Sequence, residues 1–527
     1  MGRATCIHGG GDRLVIDEAV PVRRDMVAKA TLFPNDLEQM PEPADVKVER
    51  RDIRVDFPQR RRLAARDEDA SRANVVLIGH QRLADSETDD RDEAHRMLAA
   101  AFMTDRENAP PPEPLPAIYT YFGQFLAHEL SRLSPTSRCE DEFVNLNTSA
   151  LDLDTLFGPN GFQYQGLAPG SLEIGGVALG DISPPGQGHH NDLPRCPDGT
   201  PLTPDPRSDA NLALAQVHVA LARTYQTMVA SMGAAAARRE MTRRVHDATV
   251  HDYLREVIDE TVYNDVLANG RILVEPGTHA PEAFLTPIEF AAAAFRFGHA
   301  MVRGSYQWSN ADSSEPVVQQ KLMDHTNIGG SLFPDETTDI RRLPMAWVAH
   351  YPDLLAAGRG ATVNPACAIV PAIAPALQRL SGEHVPQAGG VYSPDFQSRV
   401  NLAQRTLSRG RQLQLPSAQA LWRKIEAAAG GRPVGRLLEP DDIAGAMDDP
   451  FRPALTYAVG KGEAMNVRTP LWFYVLREAE VFHRGRRLGP IGGRIVMETI
   501  HAAILASGGT IEETCGARIS DFIGTAE

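Results

Sequence analysis

Apolar residues recur at helical spacing in several stretches of the chain, and the intervening segments are rich in glycine, proline and charged residues. The stretch 117–133 is typical, because its apolar positions follow the 3.6-residue period without an internal proline. A strand or turn is predicted only at 272–276, so the pattern indicates a mainly helical fold with little strand. The predicted helices cover 117–133, 209–232, about 238–268, 287–302, about 397–411, 417–428, 440–448, 469–482 and 490–507.

Two long segments lack this periodicity. Residues 134–206 and 305–395 are rich in loop-forming residues and predict long loops, which in a compact domain are usually functional. Residues 1–112 are charged and irregular, and the proline-rich APPPEPLP (109–116) ends this part. We therefore expect an N-terminal arm with one or two short helices over residues 1–112. It would cover a main domain of residues 113–527.

The composition is that of a globular protein, and its charge argues against binding to nucleic acid. The chain has 527 residues, of which 43% are hydrophobic and 23% charged, as is ordinary for a soluble domain. A net charge of −15 argues against a nucleic-acid surface as the main function. A local basic pocket for carboxylates remains compatible with this charge.

Cysteine usage and the N-terminus both favour the cytoplasm. The cysteines are odd in number, widely spaced and never in a CxxC pair, which is neither a disulfide framework nor a zinc site. The N-terminal residues show no apolar signal segment. No run of about 18 apolar residues occurs, so we expect no transmembrane helix. The cysteines are Cys6, Cys139, Cys196, Cys367 and Cys515.

Candidate chemistry begins with the segment GQFLAHEL (123–130). Gln124 and His128 are four residues apart, so they share one face of the predicted helix. A lone histidine on an apolar helix is more often a hydrogen-bonded core residue than a catalytic group. This segment alone leaves both interpretations open.

Two further segments place an arginine and a histidine near apolar helices. PDPRSDANLALAQVH (204–218) has Arg207 just before a helix that Ser208 or Asp209 can cap. AFRFGH (294–299) has His299 on a helix too apolar to face solvent. A buried histidine needs a hydrogen bond or a metal at each ring nitrogen. Taken alone, such an arginine is usually a surface charge and such a histidine an ordinary core residue.

Taken in order, these three segments resemble the signatures of the animal-type heme peroxidase (peroxidase–cyclooxygenase) superfamily. That family has a GQ-F-L-x-H helix, a D-x-R-x-x-E-N segment and an FR-x-GH helix. The resemblance spans roughly residues 115 to 510 and includes a C-terminal part similar to that of bacterial members. It implies a helical domain with long loops that holds heme between core helices. Further similar stretches are NTSALDLDTLFG (147–158), NLAQRTLSRGRQLQLPSAQAL (401–421), RTPLWFYVLREAE (468–480) and LGPIGGRIV (488–496).

The resemblance implies a role for each residue of the three segments. His299 would be the axial ligand of the heme iron. On the opposite face, neutral His128 would take a proton from peroxide and return it to the departing oxygen. Arg207 would stabilise charge on that oxygen, and Gln124 would order water or substrate.

Other positions around the heme follow from the same resemblance. Arg409 would pair with a heme propionate. Arg296, three residues before His299, either lines the pocket or forms an exposed ion pair. Thr406 stands where the family has the asparagine that supports the proximal histidine, and its hydroxyl can accept the Nδ1 proton.

Two carboxylates that many mammalian members esterify to heme are missing here. Ala127 and Ala210 occupy their positions. The expected cofactor is therefore heme b, held without a covalent bond.

The segment 147–158 resembles the calcium loop of the family. Ca²⁺ prefers six to eight oxygen ligands, several of them carboxylates. Acidic alternation in a loop is otherwise usually only a solvated turn. The predicted calcium ligands are Glu129, Thr148, Ala150 (through its carbonyl), Asp152 and Asp154.

The first functional hypothesis is a peroxidase that oxidises a small organic substrate with hydrogen peroxide through a ferryl intermediate. A second hypothesis is a heme oxygenase or oxidase specialised for one metabolite or peptide. Arg296 stands where the fatty-acid-oxidising branch has a radical-forming tyrosine, which argues against that branch. A third hypothesis is a degenerate heme- and calcium-binding scaffold. The sequence does not name the substrate or the oligomeric state.

Overall fold

The computed structural model describes most of the chain after residue 108 and separate segments before it. Statements about structure refer to these described residues. They are 13–16, 75–78, 83–84, 92–102, 109–136, 139–145, 147–158, 192–195, 201–274, 284–308, 317–318, 322–323, 326, 343, 347–351, 354, 364–378, 401–458 and 463–523.

The prediction of a mainly helical fold is confirmed. A π-helical turn covers Thr249–Leu254, and short 3-10 turns cover Pro206–Asp209, Ala294–Phe297 and Pro375–Gln378. A membrane-spanning helix would need a longer apolar run than any described helix provides. The helices are α1 (Asp92–Ala101), α2 (Ile118–Leu130), α3 (Asp154–Phe157), α4 (Leu212–Met232), α5 (Ala234–Ala248), α6 (Arg255–Val257), α7 (Glu260–Asn269), α8 (Ile288–Ala292), α9 (Gly298–Met301), α10 (Leu402–Gln412), α11 (Ala418–Ala429), α12 (Pro440–Ala444), α13 (Arg452–Thr456), α14 (Leu471–His483), α15 (Pro490–Ala506) and α16 (Ile519–Ile523).

Strands are few and short. An antiparallel sheet has the order β1-β2-β4-β3, and a separate pair joins β5 to β6. The segment 134–206, expected to be loop, thus contains most of the β3–β4 hairpin as well as α3. The strand CEDEFVN has no regular apolar alternation, so periodicity could not reveal it. The strands are β1 (Arg13–Ile16), β2 (Val75–Ile78), β3 (Leu133–Thr136), β4 (Cys139–Asn145), β5 (Ser305–Tyr306) and β6 (Val317–Val318).

The centre of the core is formed by two helices that are mostly apolar and buried on all sides. Every residue of α14 from Leu471 to Ala479 is buried, and so is every residue of α15 from Pro490 to Ile504. Helices of this kind lie inside a protein and not on its surface. Around them, α2 packs against α4, and α9 packs against α2. This packing brings the segment around residue 299 next to the segment around residue 128.

Two predicted helices are interrupted in the structure. The predicted helix 287–302 consists of α8, a 3-10 turn and α9, with a break at Ala293 (φ −137°, ψ −73°). The predicted helix 238–268 continues through the π-helical turn and then stops at Ile258. Asp259 starts α7 by accepting hydrogen bonds from the N–H groups of two residues in its first turn.

The described part of residues 1–112 packs on the main domain. The Phe102 ring, just after α1, stacks on Trp472 with ring centroids 5.0 Å apart. The N–H of Leu83 donates to the buried Glu289 carboxylate at 2.9 Å. The division into an arm of residues 1–112 that covers a main domain of residues 113–527 stays a prediction.

The buried carboxylate of Glu478 holds the start of α15 against α14. Its oxygens accept the N–H groups of Ile491 at 3.0 Å and Gly492 at 3.0 Å. A Cβ at position 489 would lie 2.3 Å from the Glu478 Cγ, so this close approach requires Gly489. Burial raises the pKa of Glu478 to about 8, although the backbone hydrogen bonds oppose the shift.

Glu478→Gln should remove a pH dependence of stability. The folded protein retains a proton on Glu478 that the unfolded chain loses above pH about 4.5, so wild-type stability falls as pH rises from about 5 to about 8. Over that pH range, the free energy of unfolding measured by calorimetry should fall by about 2 to 4 kcal/mol more in the wild type than in the variant. The exposed Glu439→Gln is the matched control. Parallel pH profiles for wild type and Glu478→Gln would contradict this expectation.

Candidate functional site

A cavity of about 380 Å³ lies between α2 and the interrupted segment α8–α9. This volume is within the range of roughly 300–1000 Å³ that is usual for ligand pockets. Its wall combines apolar and polar groups from separate parts of the chain. Of the residues predicted from sequence, those on the wall are Gln124, Ala127, His128, Arg207, Ala210, Arg296 and His299.

His128 lies near the C-terminal end of α2, on the wall of this cavity. Burial, and then the charge of Arg207, lowers the pKa of His128 to about 3. The imidazole is therefore neutral at physiological pH and able to accept a proton.

Arg207 lies beside His128, but its donors are already engaged. Nη2 donates to the His128 carbonyl and Nη1 to the Ser131 carbonyl, each at 2.8 Å. Nη2 also lies 2.6 Å from Oδ2 of Asp205. Burial alone would raise the pKa of Asp205, but the charge and hydrogen bonds of Arg207 hold it well below its usual value. The predicted cation is thus on the cavity wall as one half of an ion pair.

The predicted caps of α4 were wrong. Asn211 caps this helix, since its Oδ1 accepts the N–H of Leu214 at 2.9 Å. Its Nδ2 donates to Oε1 of Gln124 at 3.0 Å, so one side chain both starts α4 and orients Gln124. Ser208 and Asp209 lie in the preceding 3-10 turn, too early in the chain to reach the first turn of α4.

Asp209 has a different partner, Arg195, in a fully buried ion-pair cluster. Arg195 binds both carboxylate oxygens of Asp209, at 3.0 and 2.8 Å, and reaches Asp192 at 2.6 Å. The bidentate pair fixes the 3-10 turn that carries Arg207.

Sequence reasoning missed Asp205, Asn211 and this arginine. The first two occupy the first and last positions of the D-x-R-x-x-E-N pattern and could have been singled out from it. Nothing in the local sequence marks Arg195, because its partners are brought to it by the fold.

His299 lies on α9, on the cavity wall. Burial, and then the charge of Arg296, lowers the pKa of His299 to about 3, which keeps the ring neutral. The aromatic ring of Phe295 stacks on Phe290 at 4.5 Å, and the Trp472 Nε1 donates to the Arg296 carbonyl at 3.3 Å. These contacts hold the interrupted segment in place against α14.

The expected support of His299 by Thr406 is corrected by the structure. The Thr406 hydroxyl donates to the Leu402 carbonyl at 2.8 Å, within its own helix α10. The Nδ1 of His299 is buried and has no hydrogen-bond partner among the described residues. A threonine side chain is shorter than asparagine and readily bonds the carbonyl four residues back, which explains the difference.

Arginines gather near the His299 side of the cavity. Arg296 lines the cavity, and its Nε donates to the Ala291 carbonyl at 3.1 Å. Burial, and then the charges of Arg409 and Arg405, lower the pKa of Arg296 to about 10. Of the two interpretations for Arg296, the structure favours the pocket over an exposed ion pair. Arg409 is half-buried nearby and is not on the cavity wall itself.

Glu129 anchors the loop that follows the hairpin to the end of α2. Its carboxylate accepts the N–H of Asp154 at 2.7 Å and the N–H of Thr155 at 2.9 Å. Burial, and then the charge of Asp152, raises the pKa of Glu129 to about 8. A fully buried carboxylate is therefore held beside other carboxylates.

The remaining predicted calcium ligands lie in the same loop. The Thr148 hydroxyl bonds the Asp152 Oδ1 at 3.0 Å and the Ala150 carbonyl at 3.4 Å. Burial raises the pKa values of Asp152 and Asp154 as well. Within the described chain, however, no three His, Cys, Asp or Glu side chains converge in the arrangement of a metal site. The structure brings the five residues together, and calcium itself stays a prediction.

The fold is similar to that of solved oxidoreductases. Peroxidase A of Dictyostelium discoideum aligns with a TM-score of 0.55 and 15% identity, over 85% of this chain and 93% of that one. The fatty acid α-dioxygenase of Oryza sativa has a TM-score of 0.54 and 12% identity, over 86% of this chain and 79% of that one. The fatty acid α-dioxygenase of Arabidopsis thaliana has a TM-score of 0.54 and 11% identity, over 86% and 76%.

No protein-family model matches the sequence, and no curated protein is similar to it in sequence. At these low identities the structural similarity shows a shared fold.

Replacing Asn211 should separate its two roles. Asn211→Ala loses the cap of α4 and should lower the free energy of unfolding by about 1 kcal/mol. Asn211→Asp keeps the capping oxygen but loses the donor to Gln124, so it should keep most of the stability. Thermal unfolding of both variants measures whether Asn211→Ala is less stable than Asn211→Asp. Equal destabilisation by the two replacements would contradict the capping role.

Proposed function

We propose that the chain is an animal-type heme peroxidase that binds heme b in the cavity between α2 and α9. It would oxidise a small organic substrate with hydrogen peroxide. The observation that carries this proposal is that His128 and His299, from two distant segments, line the same cavity. The fold shared with a peroxidase supports it.

The cavity wall has features that suit heme. His299 is neutral, as an axial nitrogen ligand must be. Arg296, together with the nearby Arg405 and Arg409, supplies cationic charge for the two propionates. Ala127 and Ala210 offer no carboxylate for an ester bond, so the heme would be held without covalent attachment.

Heme, when bound, supplies the iron at which peroxide is reduced and to which the substrate gives its electrons. His128, as a neutral imidazole, takes a proton from peroxide and returns it to the oxygen that leaves as water. Gln124, oriented by Asn211, holds water or substrate through its amide NH₂ group. Arg207 contributes positive potential beside His128 while it remains bonded to Asp205.

An oxygenase is the second candidate, because two fatty acid α-dioxygenases share the fold. Arg296 counts against oxidation of a fatty acid by a tyrosyl radical at that position, since a guanidinium does not form a stable radical. The peroxidase hypothesis needs no residue beyond those on the cavity wall.

We further propose that a calcium ion binds at Glu129, Thr148, the Ala150 carbonyl, Asp152 and Asp154. Buried carboxylates that lie together repel one another, and a divalent cation would offset both the repulsion and the desolvation. Because Glu129 follows His128 directly, such an ion would also fix the end of α2.

His299→Ala and His128→Ala should affect heme differently. His299→Ala removes the axial ligand and should abolish the Soret absorbance of the purified protein. His128→Ala should retain heme but slow the reaction with peroxide about a hundred- to ten-thousand-fold in stopped-flow measurements. His501→Ala, at a buried histidine outside the cavity, is the control. The reverse pattern would exchange the two assignments.

Calcium should stabilise the protein through the loop 148–154. We expect Ca²⁺ in excess over its Kd to raise the Tm by roughly 2 to 5 °C, and Asp152→Asn to abolish most of that gain. The exposed Asp441→Asn should behave like wild type. Two findings together would argue against the ion. A chelator would leave the wild-type Tm unchanged, and the protein would contain no tightly held calcium.

A further inference from the structure

Tyr253 reaches the cavity from the π-helical turn Thr249–Leu254. It is only 1% exposed, and its ring packs against Phe122 at 5.8 Å and parallel to Tyr119 at 6.3 Å. A Cβ at position 123 would lie 2.2 Å from its hydroxyl oxygen, so the phenol lies directly against the backbone of α2 at Gly123. π-Helical turns inside helices frequently occur at functional sites.

The hydroxyl of Tyr253 has no hydrogen-bond partner among the described residues. Other buried tyrosines do have partners: Tyr121 donates to Tyr306 at 2.7 Å, and Tyr351 donates to the Gln216 carbonyl at 2.9 Å. Burial raises the pKa of Tyr253, so the hydroxyl stays protonated and remains a donor.

A second hydroxyl in the same wall is also unsatisfied. Thr120 is 4% exposed, lines the cavity, and its Oγ1 has no partner in the described chain. It lies one turn before Gln124, on the same face of α2. A buried hydroxyl without a partner is destabilising, and a bound group that satisfies it recovers part of that cost.

Among the described residues that line the cavity, the charged side chains are Arg207 and Arg296. Thr120 lies about 12 Å along the helix axis from His128, whose carbonyl Arg207 binds. Asp252, the acid next to Tyr253, is engaged by the Tyr119 hydroxyl and the Ile519 N–H. The described cavity lining as a whole also contains apolar side chains, among them Phe290, Phe295, Met323, Leu377 and Leu402.

We propose that Thr120 and Tyr253 form a subsite for a neutral hydrogen-bonding group, a hydroxyl or an amide, on an apolar substrate. The identification of that ligand as the substrate rests on the proposed function. The subsite itself rests only on the two unsatisfied hydroxyls. A carboxylate would be excluded there, because a buried charge without a counter-ion is costly.

The test compares benzyl alcohol, toluene and benzoate as probes, with calorimetry on the full-length protein as purified. Tyr253→Phe and Thr120→Val should each weaken benzyl alcohol binding about two- to tenfold and leave toluene binding unchanged. Thr120→Ser keeps a hydroxyl and should restore most of the affinity. Tyr351→Phe, away from the cavity, is the control.

Three outcomes would overturn the subsite. One is unchanged benzyl alcohol affinity in both Tyr253→Phe and Thr120→Val. Another is an equal loss of affinity for toluene, which would indicate a packing defect. The third is a loss of benzoate affinity in Tyr253→Phe and Thr120→Val as large as the loss for benzyl alcohol, which would show that a carboxylate occupies the same place. Soret absorbance of the same samples reports heme uptake, so failure of the proposed function is recorded separately from failure of the subsite.

Discussion

The last turn of α2 carries carbonyl groups that have no hydrogen-bond partner within the helix. The geometry of the site depends on the side chains that donate hydrogen bonds to these carbonyls. The His128 carbonyl and the Leu130 carbonyl each accept two hydrogen bonds from side chains of distant loops. Those side chains are Arg207 and Asn147 for the first, and Asn145 and Thr286 for the second. One helix end therefore joins three other segments of the chain, and the position of the His128 ring follows from that junction. Arg207 gains a structural role here, since cations stabilise the C-terminal end of a helix.

Buried carboxylates hold distant loops to the core in the same way. Glu498 accepts the N–H groups of residues 272–274, and Arg494 pairs with it at 3.0 Å. Glu129 holds its loop by similar hydrogen bonds, but its charged neighbours are carboxylates. This contrast explains why a cation is expected beside Glu129. The hydrogen bonds fix the loop, and the repulsion is relieved either by protonation, as the raised pKa of Glu129 indicates, or by an added positive charge such as the proposed calcium ion.

The helices could be predicted from sequence because amphipathic or apolar periodicity is local information, and α2, α4, α14 and α15 lie close to their predicted bounds. The motif segments also identified the cavity wall, since each lies on one of these elements or beside it. The hydrogen-bond and ion-pair partners of individual side chains could not be predicted. The hydroxyl of Thr406 bonds within its own helix, and Arg195 finds Asp209 only in the folded chain. Such contacts depend on tertiary packing, to which a pattern along the chain is insensitive.

The cavity is electrically asymmetric, and this follows from which charges are paired. On the α2 side, Arg207 is paired with Asp205, and Arg132 adds a further positive charge close to His128. On the opposite side, Arg296 is surrounded by further arginines and has no carboxylate partner within the described chain. An anionic group that enters the cavity is therefore drawn towards Arg296. In the proposed function and the proposed subsite, a cofactor with carboxylates would lie towards Arg296 and a neutral substrate group near Thr120. One cavity would then orient two different ligands without a separate pocket for each.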